Sequence, residues 1–303
     1  MNVNIKKITT EGRNENTLDI DRVSTKEMLI KLNNEDKTVA YAVEKALDDI
    51  AKCVDMVYEA FMNDGRLIYM GAGTSGRIGL IDAVECRPTY GVSPEMVQCL
   101  MAGGAGAMIK AVEGAEDSKE MAVEDLKRIN LTDKDIVIGI AASGRTPYVI
   151  GGIEYAKTIG AKTASISTSS GTILSSLVDC PIEAVTGAEP ITGSTRMKSG
   201  TAQKMICNMI STAAMVKMGK VYQNLMIDVQ ATNEKLVARS ISIIKEVTGL
   251  DDVEAKLAFE KYGSVKKAML GVLAGIEKDK VEEVLDKHKG NIRKALQEVG
   301  IND

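Results

Sequence analysis

Two short loops hold the residues best suited to grip a small charged ligand. GAGTSGR (71–77) sets Gly73 beside Thr74, Ser75 and Arg77; AASGRTP (141–147) offers Ser143, Gly144, Arg145 and Thr146 ahead of a proline. Glycine lets the backbone approach a ligand closely, and hydroxyls together with free N–H groups at a helix start hold an anion. Pro147 suits the first turn of a following helix. A third loop, GAEPITGSTRMKSGTAQK (187–204), brings Glu189, Ser194, Thr195, Arg196 and Lys198 just ahead of a long helical stretch. An anion there would meet hydroxyls, positive charge and a helix N-terminus together.

GAGTSG also matches the spacing of a dinucleotide fingerprint. That use calls for an acidic residue at the end of the second strand, to bind a ribose hydroxyl. Here the second strand ends in LMAGGAG (100–106), without an acid. The hydroxyls favour a sugar phosphate over a nucleotide. A nicotinamide-dependent dehydrogenase remains the reading that rests on GAGTSG alone.

Acid–base chemistry would fall to carboxylates. Glu85 lies in IDAVECRPTYGV with Asp82 three residues before it, and Glu116 lies in AVEGAEDS with Glu113 before it. A pair of carboxyl groups in a cleft can divide the roles of acid and base. Spacing alone does not select among these four. The single histidine, His288, rules against a histidine-built zinc site and a Ser-His-Asp triad.

Positioning these loops requires a particular architecture. Apolar runs of strand length occur at 66–71, 96–103, 135–143, 162–169 and 181–187, with helically spaced segments between them. Such alternation predicts an α/β fold, a doubly wound five-stranded parallel sheet covered on both faces. Its ligand loops lie at the carboxyl ends of the strands. A helical stretch is expected over 25–63, opened by a capping box of Ser24 and Glu27, and a long helix over 198–218. The expected division is an N-terminal arm with helices (1–54), a sheet domain (55–218) and a small C-terminal helical domain (219–303). In the last, VEAKLAFEKYGSVKKAM (253–269) resembles VEEVLDKHKGNIRKAL (281–296), the pattern of two helix-turn-helix units, with His288 aligned to the ordinary polar Lys261.

Composition narrows the function classes. The 303 residues carry a net charge of −4, with no dominant basic block, which speaks against nucleic acid as the main partner. No apolar run is long enough to span a bilayer, and the first residues form no signal-like segment. The five cysteines are scattered and unpaired in pattern, as expected of reduced thiols in cytoplasm. With no Trp, 2 Phe and 16 Met, the core must be aliphatic, with methionines filling gaps.

The loops together resemble the SIS (sugar isomerase) family of phosphosugar-binding domains, a flavodoxin-like three-layer fold. Longer segments, DIDRVST (19–25), LIYMGAGTSGRIGLIDAVECRPTYG (67–91), AVEGAEDS (111–118), GIAASGRTPYVIGG (139–152), GAEPITGSTRMKSGTAQK (187–204) and DVQATNEKL (228–236), resemble the N-acetylmuramic acid 6-phosphate etherase family. The resemblance implies a lyase that needs no cofactor or metal, splitting a D-lactyl ether into N-acetylglucosamine 6-phosphate and D-lactate during recovery of cell-wall amino sugars. It implies Glu85 as proton donor and Glu116 as the second acid/base, with the hydroxyl loops holding the sugar phosphate. It also implies a homodimer. One position departs from the family wording: Cys86-Arg87-Pro88 stands where Cys-Pro-Pro is usual, adding a positive charge beside Glu85. A non-catalytic phosphosugar sensor of the same fold is the main alternative; it would keep the loops without needing both glutamates.

Overall fold

The computed structural model describes residues 9–110, 112–231 and 233–301. The chain divides into two units, Met1–Val84 with Pro94–Ser211, and Glu85–Ser93 with Thr212–Asp303. The described residues of the arm and the first helices lie in the first unit, and a unit boundary falls between Ser211 and Thr212.

In the first unit, among the described residues, short 3-10 turns at Thr9–Glu11 and Glu15–Thr17 precede α1 (Thr25–Glu44) and α2 (Leu47–Met62). The expected capping box opens α1: the Ser24 hydroxyl accepts from the Glu27 N–H, and the Glu27 carboxylate accepts from the Ser24 N–H at 3.0 Å. The helical stretch expected over 25–63 is two helices, divided at Lys45 and Ala46.

There follow β1 (Leu67–Gly71), α3 (Gly73–Tyr90), β2 (Val97–Met101), α4 (Lys119–Arg128), β3 (Ile136–Ile140), α5 (Pro147–Ile159), β4 (Lys162–Ser167), β5 (Cys180–Glu183) and α6 (Lys198–Lys217). The strands form one parallel sheet in the order β2-β1-β3-β4-β5. This is the expected doubly wound sheet, and its order reverses between β1 and β3. Both of those strands are buried along their whole length, as a sheet covered on two faces requires. On one face Ile68, Met70 and Val137 pack with Leu126, Ile153 and Leu174.

The turn from β1 into α3 is tight enough to demand its glycines. A Cβ on Gly76 would lie 2.7 Å from the Gly71 carbonyl oxygen, and Gly73 sits at φ +53°. On the other face, the Asp82 carboxylate on α3 accepts from Tyr69 Oη at 3.0 Å, Asn208 Nδ2 at 2.6 Å and Ser211 Oγ at 3.0 Å. Asp82 is therefore a buried tie between β1, α3 and α6 rather than a reactive acid. Burial pushes its carboxyl above the usual aspartate range against those three hydrogen bonds.

The second unit holds a two-stranded antiparallel ribbon of β6 (Val221–Tyr222) and β7 (Leu225–Met226) and five helices: α7 (Glu234–Thr248), α8 (Asp252–Tyr262), α9 (Val265–Ala274), α10 (Lys278–Lys287) and α11 (Ile292–Glu298). Its core joins Ile244, Ala268, Met269, Val281 and Ile292. The internal repeat is α8–α9 followed by α10–α11. The matched glycines, Gly263 and Gly290, lie in the turns at φ +82° and +76°. His288 ends α10, with Nε2 2.5 Å from Glu298 Oε2.

Candidate functional site

The first two loops meet at the carboxyl ends of β1 and β3, over the crevice where the strand order reverses. Thr74 and Ser75 open α3, while Thr146 and Pro147 open α5. The Thr146 side chain makes no cap to its own helix, and Pro147 has no N–H to satisfy. Two helix N-termini therefore face one cavity of about 350 Å³. Thr74, Ser75, Ser143, Arg145, Thr146 and Thr195 line it, with Glu11, Glu116 and Asp117 among the other wall residues. Dipole ends, hydroxyls and one guanidinium make this a place for an anion with a polyhydroxyl body.

Gly144 shapes the wall without lining it. Its φ is +61°, and a Cβ there would lie 2.3 Å from Thr172 Oγ1. The Ser75 hydroxyl is 3.0 Å from Gln203 Oε1, and Ser75 is buried.

The third loop behaves differently. Glu189 is fully buried and puts its two oxygens on the N–H groups of Lys198, at 2.8 Å, and Ser199, at 2.9 Å. The protein's own carboxylate thus occupies the N-terminus of α6, where a ligand anion was expected. Lys198 is 3% exposed, and its Nζ donates to Glu35 at 2.7 Å. Glu35 also accepts from Asn14 and Asn16, both at 2.7 Å. Glu189 and Lys198 consequently hold loop and arm together in place of a ligand. Ser194 is half-buried and is not part of the cavity wall; Thr195 is the member of this loop that reaches it.

Arg77 also departs from expectation. It lies not with the hydroxyls but on a second cavity of about 330 Å³. Its Nε donates to the Met108 carbonyl at 3.0 Å and its Nη2 to the Ala107 carbonyl at 2.8 Å. The two cavities share Ala72, Gly73 and Glu116.

Glu116 is exposed, in a 3-10 turn (Ala115–Asp117) entered through Gly114 at φ +73°. Glu85 is exposed on α3 and belongs to the second unit, whereas both cavities belong to the first. The structure brings Glu116 to the hydroxyl loops, and Glu85 is not among the residues that line either cavity.

Comparison with known proteins adds a decisive observation. The chain is 55% identical over 300 residues to the N-acetylmuramic acid 6-phosphate etherase of Clostridium botulinum strain Okra, spanning 98% of this chain and 99% of that protein. It is also 55% identical over 293 residues to the Bacillus cytotoxicus protein of the same name, across 96% of this chain and 100% of that one. The chain belongs to the N-acetylmuramic acid 6-phosphate etherase family.

Within this etherase-family chain, an SIS domain is matched over residues 112–213, and a glucokinase regulatory protein N-terminal SIS domain over residues 49–157. The fold is shared with a Bacteroides fragilis protein named for phosphosugar isomerisation in capsule formation. That likeness has a TM-score of 0.50 and 20% identity, covering 65% of this chain and 94% of that one. Among the described residues, no group of three or more His, Cys, Asp or Glu is arranged to hold a metal ion, and no helix is long and apolar enough to cross a membrane.

Two wall residues of this etherase cavity escaped the sequence reading. Asp117 was legible as the neighbour of Glu116. Glu11 had no signal, since it lies in a polar arm whose path only the folded chain reveals; its Oε2 would be 3.0 Å from a Cβ on Gly193. Glu113 is exposed on the second cavity.

Proposed function

We propose that the protein cleaves the D-lactyl ether of N-acetylmuramic acid 6-phosphate with water, giving N-acetylglucosamine 6-phosphate and D-lactate, in cell-wall amino sugar recovery. The observation that carries the reading is Glu116, a carboxylate in the wall of a cavity otherwise built for a sugar phosphate, in a chain of this family.

The phosphate sits among Ser143, Thr146, Thr74 and Ser75 at the two helix N-termini, remote from the reacting carbons. Its binding energy orients the sugar. In the open-chain form the C2 proton lies next to the aldehyde and is acidic. Glu116 removes it; the C2 electron pair forms the C2=C3 double bond as the C3–O bond breaks. Glu85 gives its proton to the departing lactate oxygen. Water then adds at C3, returning a proton to Glu85, and Glu116 returns one to C2. Atoms balance as ether plus water to amino sugar phosphate plus lactate.

Glu85 lines neither cavity of the chain, so in this reading it reaches the site from another molecule. Its helix face offers Ile81, Val84 and Pro88 beside it, all exposed, at the i, i+3, i+4, i+7 spacing of a contact stripe. A second copy of the chain, seated on that stripe, supplies Glu85 to the partner's cavity.

The test is release of D-lactate from N-acetylmuramic acid 6-phosphate by purified protein. Glu116→Ala and Glu85→Ala should each lower kcat by about 10²–10⁴-fold. Binding of the sugar phosphate without lactate release would support a sensor of the same fold instead.

A further inference from the structure

Of the two cavities that meet at Glu116, the hydroxyl-lined one accounts for the phosphate and sugar. The second is different in kind. Met101, Ala102, Ala107 and Val112 give it apolar walls. One cation, Arg77, completes them, with Glu113 exposed on the same wall.

Arg77 is half-buried and held in place. The Met108 and Ala107 carbonyls take one N–H of Nε and one of Nη2. A guanidinium has five N–H donors. Among the described residues, Nη1 has no acceptor and the side chain has no carboxylate partner. A partly desolvated guanidinium with open donors, fixed in orientation on an apolar wall, is made for a small carboxylate with a hydrocarbon part.

We propose that this second cavity is the subsite for the lactyl arm, its carboxylate on Arg77 and its methyl against Ala102, Ala107 and Val112. The inference rests on the function proposed above. The arm leaves the sugar at C3, next to the carbon whose proton Glu116 takes, and Glu116 lies on the wall common to both cavities. The acetamido group on C2 is equally close but neutral, and has no use for a cation. The lactyl carboxylate is the one negative group of the substrate apart from the phosphate. Arg77 thereby reads whether the sugar phosphate still carries its ether, and holds the leaving group as an anion.

Lactate release is measured with N-acetylmuramic acid 6-phosphate and with its lactyl carboxamide, a neutral analogue of equal size, using wild type, Arg77→Gln and Arg77→Lys. Wild type should prefer the free acid by roughly 10- to 100-fold in kcat/KM, the range for a charge-assisted pair. Arg77→Gln should bring the ratio close to one, chiefly by losing activity on the acid; Arg77→Lys should keep part of it. Inhibition by N-acetylglucosamine 6-phosphate, which lacks the arm, should be the same in wild type and variants. No preference in wild type overturns the assignment even if the variants do not fold. An unchanged ratio in a folded Arg77→Gln also overturns it. So does equal weakening of N-acetylglucosamine 6-phosphate, which would mean that Arg77 serves the shared sugar site through the 107–108 turn. Absence of lactate from wild type with either substrate overturns the underlying function itself.

Discussion

Asp135, just ahead of β3, is 1% exposed and takes a two-pronged grip from Arg66, Nε at 3.0 Å and Nη2 at 2.7 Å. Burial opposes its charge, but Arg66 and the Thr132 N–H hold its carboxyl below the usual aspartate value of 3.8. Its native pKa thus lies below its unfolded one. The stabilisation is complete above the unfolded value and is lost as pH falls through the native one. Asp135→Asn should cost about 3 kcal/mol at neutral pH, the low end for breaking a buried pair because Arg66 is partly exposed. Denaturant unfolding at pH 7 and pH 3 should show the gap narrowing in acid. Ser143, on the cavity wall, is the contrasting case: in the proposed function its hydroxyl meets the ligand. Ser143→Ala should raise KM by about tenfold, the worth of one hydrogen bond to a charged group, with a smaller effect on kcat. Steady-state rates across substrate concentration distinguish this from the reverse, which would place Ser143 at the reacting carbons.

Among the helices, those that open on the cavity differ from α6 in what stands at their N-termini. α3 and α5 begin at the polar cavity, and Thr146 leaves α5 without a side-chain cap. α6 begins on the Glu189 carboxylate. In the sequence the three loops are alike, because Ser, Thr and Gly before a helix look the same whether the anion at its N-terminus is a phosphate or a glutamate nine residues back. The strands and their parallel order are legible there, since continuous apolar runs between helical segments leave few other arrangements. The boundary between α1 and α2 is not legible in the sequence, because the apolar period continues through Lys45 and Ala46, and Ala46 supplies no side-chain cap. Glu189→Gln should test the distinction. With one acceptor oxygen in place of two, it leaves a buried N–H of α6 unmet and should cost about 1–2 kcal/mol of stability. KM for the sugar phosphate should stay as in wild type. A raised KM without loss of stability would return the third loop to the ligand.

At the scale of the whole molecule, the two glutamates singled out by family resemblance fall in different units, Glu116 in the first, where it lines both cavities, and Glu85 in the second. No reading of one sequence could have revealed this, because the motif around Glu85 and the motif around Glu116 are each intact. The division between the units falls within α3, which runs from Gly73 to beyond Glu85. What remains is the exposed stripe: Ile81 at 54% and Val84 at 60% of full exposure, directly before Glu85. Apolar side chains at that spacing beside a carboxylate fit a face that another surface covers. A symmetric pair would place two such stripes and two cavities in the same assembly. Mixing tests this without needing the assembly's structure. Glu85→Ala and Glu116→Ala chains, each inactive alone, are unfolded together, refolded in equal amounts and assayed for lactate. In a pair formed from one of each, one site receives Glu116 from the first chain and Glu85 from the second, while the other site lacks both. Random pairing should therefore restore about one quarter of wild-type activity. Recovery at that level, with a dimer by light scattering, supports a shared site. No recovery from mixed dimers would mean that each chain must bring its own Glu85 to its own Glu116 by moving α3.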